Sequence, residues 1–179
     1  MRRKSILITF GLLASTIAAP VQSANAYTVK SVPAPWVYTY ASGQSQSIQE
    51  KPTTPVAFAE KKSNFLVDFN TVPLNAQAAV QAAIDVWAEN FSSKIDVHVN
   101  VTWGRATSTG VLAAASSKSN FTFPEAPDRT LYYASAMANA LAGRDLDPKN
   151  PELEITITSN APWYLGTDGR CPRNLYDLE

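Results

Sequence analysis

Apolar and polar residues alternate along residues 95–103, where every odd-numbered position is apolar and every even-numbered position is polar. A period of two places one set of side chains on each face of a β-strand, so this pattern predicts a half-buried strand. Two shorter segments have a similar character: the apolar run 65–69 and the alternating run 153–158. The middle of the chain is therefore expected to build a β-sheet.

Between the first two of these segments, the apolar spacing becomes that of a helix. Val80, Ile84, Trp87 and Phe91 are four, three and four residues apart, which predicts a helix over residues 75–91 with these side chains buried. Asn75 is a candidate N-cap residue because it follows Pro73 at the start of the pattern. The opposite side is expected to be exposed and consists of Gln77, Gln81, Asp85 and Glu89.

A second helix is predicted over residues 131–142, with Asp128 or Thr130 as its cap and Gly143 at the position that favours a C-terminal glycine. Its apolar stripe is expected to contain Tyr133, Met137, Ala140 and Leu141. Residues 111–115 and 121–123 are weaker strand candidates. The chain is therefore expected to combine several strands with two helices.

The front of the chain has a different character. Residues 1–26 contain a basic start, an apolar stretch and Ala24-Asn25-Ala26, which together predict a secretory signal peptide cleaved before Tyr27. Residues 27–63 are rich in Pro, Ser and Gln and predict an extended lead-in, in which the alternation of Trp36, Tyr38 and Tyr40 indicates one short strand. The remaining residues, 64–179, are then expected to form one domain.

Removal of the signal peptide leaves 153 residues with 12 basic and 15 acidic side chains, a net charge of −3. This balance favours neither nucleic acid nor an anionic membrane as a partner. We therefore expect a secreted, cell-surface or periplasmic protein that has no membrane association after signal cleavage.

The chain has one histidine and one cysteine, too few for a side-chain metal cluster. His98 lies on the polar side of the predicted strand, so we interpret it as a solvated side chain rather than a metal ligand. Asp145 and Asp147 precede Pro148 in a predicted turn that lacks the glycine and glutamate of a calcium loop. Cys171 has three open interpretations: a free thiol, an intermolecular bond or a disulfide with a lost partner. No catalytic, cofactor-binding or metal-binding residue is assigned.

Several phrases of this sequence, in this order, resemble a family of secreted bacterial zinc-peptidase-like proteins related to the metzincins. The resemblance covers about two thirds of the chain and rests on residues 65–69, 76–87, 95–104, 138–143, 163–164, 166–169 and 176–178. Each phrase alone is weak, and the order and spacing carry the resemblance.

The resemblance implies an α/β fold: a twisted mixed β-sheet with flanking helices, as in a metzincin-like N-terminal subdomain, with one helix on the outer face of the sheet. In such proteins the phrase Tyr176-Asp177-Leu178 leads into a helix bearing H-E-x-x-H, whose histidines bind zinc and whose glutamate activates water. The chain ends at Glu179, so no ligand or base can be carried over, and the domain is expected to be incomplete. One face of the sheet would then lack its covering helix. This is the face of the odd-numbered residues of 95–103, or whichever face points inward. The partner of Cys171 would lie beyond Glu179.

Three functions follow as expectations. The first is the N-terminal fragment of a secreted zinc-dependent endopeptidase-like protein, inactive by itself, whose full-length form acts on protein or peptide substrates. The second is a secreted non-catalytic binding or adhesion module that displays Trp36, Tyr38, Trp163 and Tyr164 to a ligand. The third is a degenerate pseudo-peptidase.

Overall fold

The structure is a computed structural model that describes residues 28–41, 62–105 and 108–179. The predicted signal peptide, its cleavage site and most of the second half of the lead-in lie outside these residues. The described residues form an α/β structure of ten strands and two helices. In chain order they are β1 (Lys30–Pro33), β2 (Val37–Tyr40), β3 (Phe65–Asp68), α1 (Leu74–Asn90), β4 (Val97–Gly104), β5 (Val111–Ser116), β6 (Ser119–Thr122), β7 (Tyr133–Ala134), α2 (Ser135–Ala142), β8 (Leu153–Thr158), β9 (Trp163–Tyr164) and β10 (Tyr176–Asp177).

Five strands form the main sheet in the order β2-β5-β8-β4-β3. β3, β4 and β8 are parallel, whereas β5 runs antiparallel to β8 and β2 runs antiparallel to β5. The prediction of a mixed sheet with helices is therefore confirmed, as are the strands predicted near residues 65–69, 95–103, 111–115 and 153–158. The parallel pair β3 and β4 is joined through α1, because parallel neighbours need a crossover connection.

The odd-numbered residues of β4 pack beneath α1. Val97, Val99 and Val101 are at most 2% exposed and belong to one apolar core with Val80 and Ile84 of the helix. The alternation read from the sequence thus identified the buried face correctly. The expectation that these odd-numbered positions lack a covering helix is wrong, because α1 itself covers them.

The opposite face of the same strands is polar. On β4 it carries His98, Asn100 and Thr102, and the parallel register places Glu154 and Thr156 of β8 beside the last two. His98 is exposed and Thr102, Glu154 and Thr156 are partly exposed, so these polar side chains do not require an apolar layer above them. The side-chain oxygen of Asn100 differs, because it is buried without a hydrogen-bond partner among the described residues. The composition of this face at these positions therefore supplies no hydrophobic reason for a second covering helix.

The helix α1 is present over nearly the predicted span, yet the prediction for Trp87 is wrong. Trp87 is 67% exposed, whereas the buried row consists of Ala76, Val80, Ile84 and Ala88, each four residues after the last. A row with a constant spacing of four follows one ridge of the helix, and alanine lets that ridge approach the sheet closely. Trp87 lies outside this ridge.

Three smaller expectations for α1 also need correction. Pro73, with extended backbone angles, occupies the N-cap position and makes no side-chain cap hydrogen bond, while Asn75 lies within the first turn. Phe91 is the C-cap residue and is half-buried, with its ring edge-on to Phe65 at 6.3 Å. The polar residues on the opposite side are partly buried rather than exposed, namely Gln77, Gln81, Asp85 and Glu89. Two of them bond to each other, since the Gln81 side-chain amide donates to the Asp85 carboxylate at 3.0 Å.

The second helix starts later than predicted, at Ser135 instead of residue 131. Tyr133 and Ala134 form β7, which pairs with β6. These two residues were predicted to be helical, but they form sheet hydrogen bonds instead. Asp128 accepts hydrogen bonds from Thr130 in a turn and does not cap the helix. Gly143 has φ of 66° at the C-cap, which confirms its predicted role.

The buried face of α2 also differs from the predicted stripe. Met137 and Leu141 are exposed, and the buried residues are Ser135, Ala138 and Asn139. Ala138 of this helix belongs to a second, smaller apolar cluster with Phe121 and Phe123.

The lead-in contains two described strands where one was predicted. β1 pairs antiparallel with β6, and β2 pairs antiparallel with β5. The link between them stays attached, because the Ala34 amide donates to the Lys118 carbonyl at 2.9 Å and Ser116 donates to the Ala34 carbonyl. Residues 28–41 therefore run along β5 and β6 as one extended strap.

Candidate functional site

The carboxyl ends of β4 and β8 bring together distant parts of the chain. Trp103, at the end of β4, lies 6.4 Å from Trp163 between ring centroids, and Trp163 lies 6.1 Å from Tyr176. β9 and β10 pair in parallel here, with Trp163 opposite Tyr176. In open α/β sheets, ligands bind outside the carboxyl ends of the strands, so this edge is the natural place to look for a site.

The Trp163 ring is fixed in place by a backbone contact. Its indole N–H donates to the Thr158 carbonyl at 2.6 Å, at the end of β8. Thr71 supports the neighbouring strand end, since its hydroxyl donates to the Trp103 carbonyl at 3.0 Å and accepts from the Trp103 amide at 2.8 Å. The aromatic cluster is thus tied to the sheet by hydrogen bonds as well as by packing.

Beside this cluster lies an open cleft of about 410 Å³. The size is within the range of small-molecule sites. Its lining within the described residues comes from four stretches of chain and consists of Ala41, Ser108, Thr109, Gly110, Val111, Leu112, Thr158, Asn160, Ala161, Pro162 and Tyr176. This lining contains no Asp, Glu, Lys, Arg or His side chain, so the described part of the wall carries no formal charge.

Two polar side chains of the cleft have unused hydrogen-bonding capacity. Thr158 donates its hydroxyl proton to the Asn160 amide oxygen at 2.7 Å, which leaves the amide nitrogen of Asn160 without a partner among the described residues. The Tyr176 hydroxyl likewise makes no hydrogen bond to another described residue, although its ring packs on Trp163. The described part of the wall thus presents free hydrogen-bonding groups to a ligand but no carboxylate, imidazole, amine or thiol.

A second polar group lies on β9. The Tyr164 hydroxyl donates to the Asp168 carboxylate at 2.6 Å, and this bond lowers the pKa of Asp168 and raises the pKa of Tyr164. The tyrosine ring folds back over Gly166, where a Cβ would meet the ring. Both ionisable groups are held in their ordinary charge states, Tyr164 neutral and Asp168 ionised, so the pair braces the loop and is not poised for proton transfer.

Cys171 is a free, half-buried thiol in the structure. Its sulfur lies 3.6 Å from the Leu175 carbonyl oxygen. Burial, with a further contribution from Asp177, raises the pKa of this thiol. A raised pKa disfavours the thiolate, which is the reactive form, so Cys171 lacks the electrostatics of a nucleophile.

The most buried carboxyl group of the described residues is that of Glu152, only 3% exposed, just before β8. One of its oxygens accepts the His98 backbone amide at 2.7 Å, and the other accepts the Asn139 side-chain amide at 2.9 Å. Burial raises the pKa of Glu152, and the nearby Asp145 adds to this, against the hydrogen bond from His98. Through these two hydrogen bonds, Glu152 joins α2 to β4.

The candidates read from the sequence do not converge on one centre. His98 is exposed on the polar sheet face, and no group of three or more His, Cys, Asp or Glu side chains that could hold a metal occurs in the described ranges. Trp36 and Tyr38 are exposed, at 42% and 48%, while Trp163 and Tyr164 are half-buried. Asp145 and Asp147 do form a turn, in which the Asp147 amide donates to Asp145.

Sequence reasoning missed Glu152, Asn139 and the cleft. The cleft is assembled from separate segments, so no local pattern predicts it. A signal for its Asn160 did exist, since Ser159-Asn160-Ala161-Pro162 directly follows a strand at the edge where ligands bind.

Comparison with protein-family models, with curated proteins and with solved structures found no match. Within the described ranges, neither helix is long and apolar enough to span a membrane.

Proposed function

We propose that residues 64–179 form the N-terminal, non-catalytic part of a secreted zinc-endopeptidase-like domain related to the metzincins. The observation that carries the proposal is the meeting of three of the phrases on which the resemblance rests. Residues 101–104, 163–164 and 176–178 are far apart in sequence, yet their aromatic side chains Trp103, Trp163 and Tyr176 form one cluster.

The place of this cluster supports the proposal. It lies at the carboxyl ends of β4 and β8, the edge at which α/β enzymes build their sites. The last phrase, at Tyr176–Asp177, pairs with Trp163–Tyr164 and therefore lies at this same edge of the sheet. A metal-binding helix placed after this phrase would begin next to the cleft. The described residues would then supply a wall of the site, and the helix its ligands.

The reading frame beyond codon 179 tests this proposal. We expect it, or a frame shifted by one or two bases, to encode an apolar helix with H-E-x-x-H within about fifteen residues, followed by a third zinc ligand. Absence of this motif from every downstream frame, together with a well-folded monomeric product of residues 27–179, would remove the peptidase proposal. A motif with its histidines or glutamate replaced would point instead to a degenerate pseudo-peptidase.

Export is part of the same proposal. A cleavable signal peptide predicts that protein collected outside the cytoplasm begins at Tyr27, because Ala24 and Ala26 suit the small pockets of a signal peptidase. N-terminal sequencing of the exported protein checks this. A product that still begins at Met1 would contradict it.

A second candidate function is a non-catalytic binding or adhesion module. It is favoured by the exposure of Trp36, Tyr38 and Tyr40, three aromatic side chains on or beside the edge strand β2. Large exposed aromatic groups are typical of interaction surfaces. The measurement is retention of the exported protein on the envelope of the producing cells. Under this alternative, the double variant Trp36→Ala/Tyr38→Ala loses retention, whereas Trp87→Ala, which removes an exposed tryptophan from α1, does not.

A further inference from the structure

We propose that the cleft beside Tyr176 binds a neutral saccharide unit. The inference goes beyond the proposed function, since it requires neither zinc nor a peptide substrate. It starts from the volume of the cleft, about 410 Å³, and from its open mouth at the carboxyl edge of the sheet. A space of this size accommodates one or two sugar rings.

Charge narrows the class of ligand. Within the described part of the chain, the wall of the cleft contains no Asp, Glu, Lys, Arg or His side chain, so an ionic ligand would lose hydration without gaining an ion pair there. A phosphate, a carboxylate-bearing metabolite or a charged peptide is therefore disfavoured. A neutral ligand incurs no such electrostatic cost.

The polar groups narrow the class further. The Asn160 amide nitrogen and the Tyr176 hydroxyl have no partner among the described residues, and Ser108 and Thr109 add two more hydroxyl groups to the wall. Such groups match a ligand that presents several hydroxyl groups over a small surface. Val111, Leu112 and Pro162 also line the cleft and supply apolar surface, which suits the C–H faces of a sugar ring.

Tyr176 is the residue that anchors the ligand in this proposal. Its ring already packs edge-on against Trp163 at an interplanar angle of 64°, so its orientation is set before any ligand binds. An ordered aromatic ring reduces the entropic cost of binding. Tyr176 therefore provides a preformed contact surface with a hydroxyl group at its end.

The test is an NMR titration of purified residues 27–179 with three neutral trisaccharides: cellotriose, maltotriose and chitotriose. We expect saturable shifts of the Asn160 side-chain amide and the Trp163 indole with at least one of them, at a Kd of about 1 mM or below. Asn160→Ala and Tyr176→Phe, which retains the ring, should each weaken binding at least about threefold. Asn174→Ala, which removes an exposed asparagine outside the cleft, is the matched control and should leave the Kd unchanged.

Three results would overturn the proposal. The first is the lack of saturable binding by any of the three sugars up to about 20 mM. The second is binding that neither Asn160→Ala nor Tyr176→Phe weakens. The third is saturation by the capped neutral tripeptide N-acetyl-Ala-Ala-Ala-amide alone, which would make the cleft a peptide site. None of these outcomes depends on zinc, so the peptidase proposal stands or fails separately.

Discussion

The two helices of this protein are held in different ways. α1 covers the sheet with a row of apolar side chains, Ala76, Val80, Ile84 and Ala88, and the core beneath it is formed by valines of β4. α2 is only eight residues long, and two of its three buried residues, Ser135 and Asn139, are polar. The first helix depends on hydrophobic burial, and the second depends on buried hydrogen bonds.

This difference has energetic consequences. Apolar burial is nondirectional and insensitive to pH, so the α1 layer should respond mainly to changes of side-chain volume. Buried hydrogen bonds stabilise a structure modestly when made but cost more when one partner is removed. In the α2 layer, Ser135 donates towards the Ser117 and Ser119 carbonyls, and Asn139 bonds to Glu152. That layer should therefore be sensitive to the loss of single polar atoms and to the charge on Glu152.

The largest effect is expected at the centre of the α1 layer. Ile84→Ala removes a side chain that is 5% exposed and should lower the free energy of unfolding by about 2–5 kcal/mol, since it leaves a cavity. Urea unfolding followed by circular dichroism measures this. A loss as small as that of a surface substitution would show that α1 does not form the main core.

A smaller effect is expected from Asn139→Ala in the α2 layer. The substitution removes the amide that bonds to Glu152 and the oxygen that accepts the Leu146 backbone amide, so it leaves buried groups unpaired. We expect a loss of about 1–3 kcal/mol in urea unfolding. Ala140→Ser, a substitution at the next half-buried position of α2, is the control and should have little effect. Equal stability of Asn139→Ala and wild type would break the contrast between the two helices.

The charge of Glu152 gives the α2 layer a pH dependence. Burial raises the pKa of Glu152 in the folded state, so the folded state binds this proton more tightly than the unfolded chain does. The resulting stabilisation is complete below the ordinary glutamate range and is lost as the pH rises through the raised pKa. We expect the unfolding free energy of wild type, relative to Glu152→Gln, to fall as the pH rises above the ordinary glutamate range.

The comparison with Glu152→Gln isolates this one group. Asp128 and Asp168 have lowered pKa values and respond to pH in the opposite sense, but both are present in the two proteins, so their contributions cancel. A difference in unfolding free energy that stays constant across the range would show that the Glu152 carboxyl group does not titrate differently in the folded state.

The smallest effect is expected at Trp87, three residues from Ile84 on the same helix. Its ring is 67% exposed, so Trp87→Ala should change the unfolding free energy by about 0.5 kcal/mol or less, despite the large side chain removed. The same urea measurement as for Ile84→Ala gives the comparison. A loss close to that of Ile84→Ala would mean that the ring packs against the core after all.

The contrast between Ile84 and Trp87 also shows what the sequence could and could not reveal. A period of two fixes which face of a strand is buried, so Val97, Val99 and Val101 were predicted correctly. A helix is less determined, because the angle at which it crosses the sheet decides whether the buried row continues by three or by four residues. Trp87 satisfied the spacing and is nevertheless outside the contact row.

The candidate site was less predictable still. The sequence placed Trp103 at the end of a predicted strand and singled out Trp163 through the resemblance, but it did not bring the two together. The pairing that brings Tyr176 beside Trp163 spans thirteen residues without a periodic pattern. The cleft and the Glu152 contacts likewise depend on tertiary approach, which local spacing does not encode.

Zinc content tests most directly the central proposal that residues 27–179 lack the catalytic centre of the peptidase-like domain to which we propose they belong. Purified residues 27–179 are incubated with zinc and then dialysed against zinc-free buffer. The bound zinc and the hydrolysis of a protein substrate are then measured. We predict far less than one zinc per chain and no hydrolysis, because an open catalytic site needs three protein ligands and a poised base. One zinc per chain that survives dialysis, together with proteolysis that a chelator abolishes, would contradict the account.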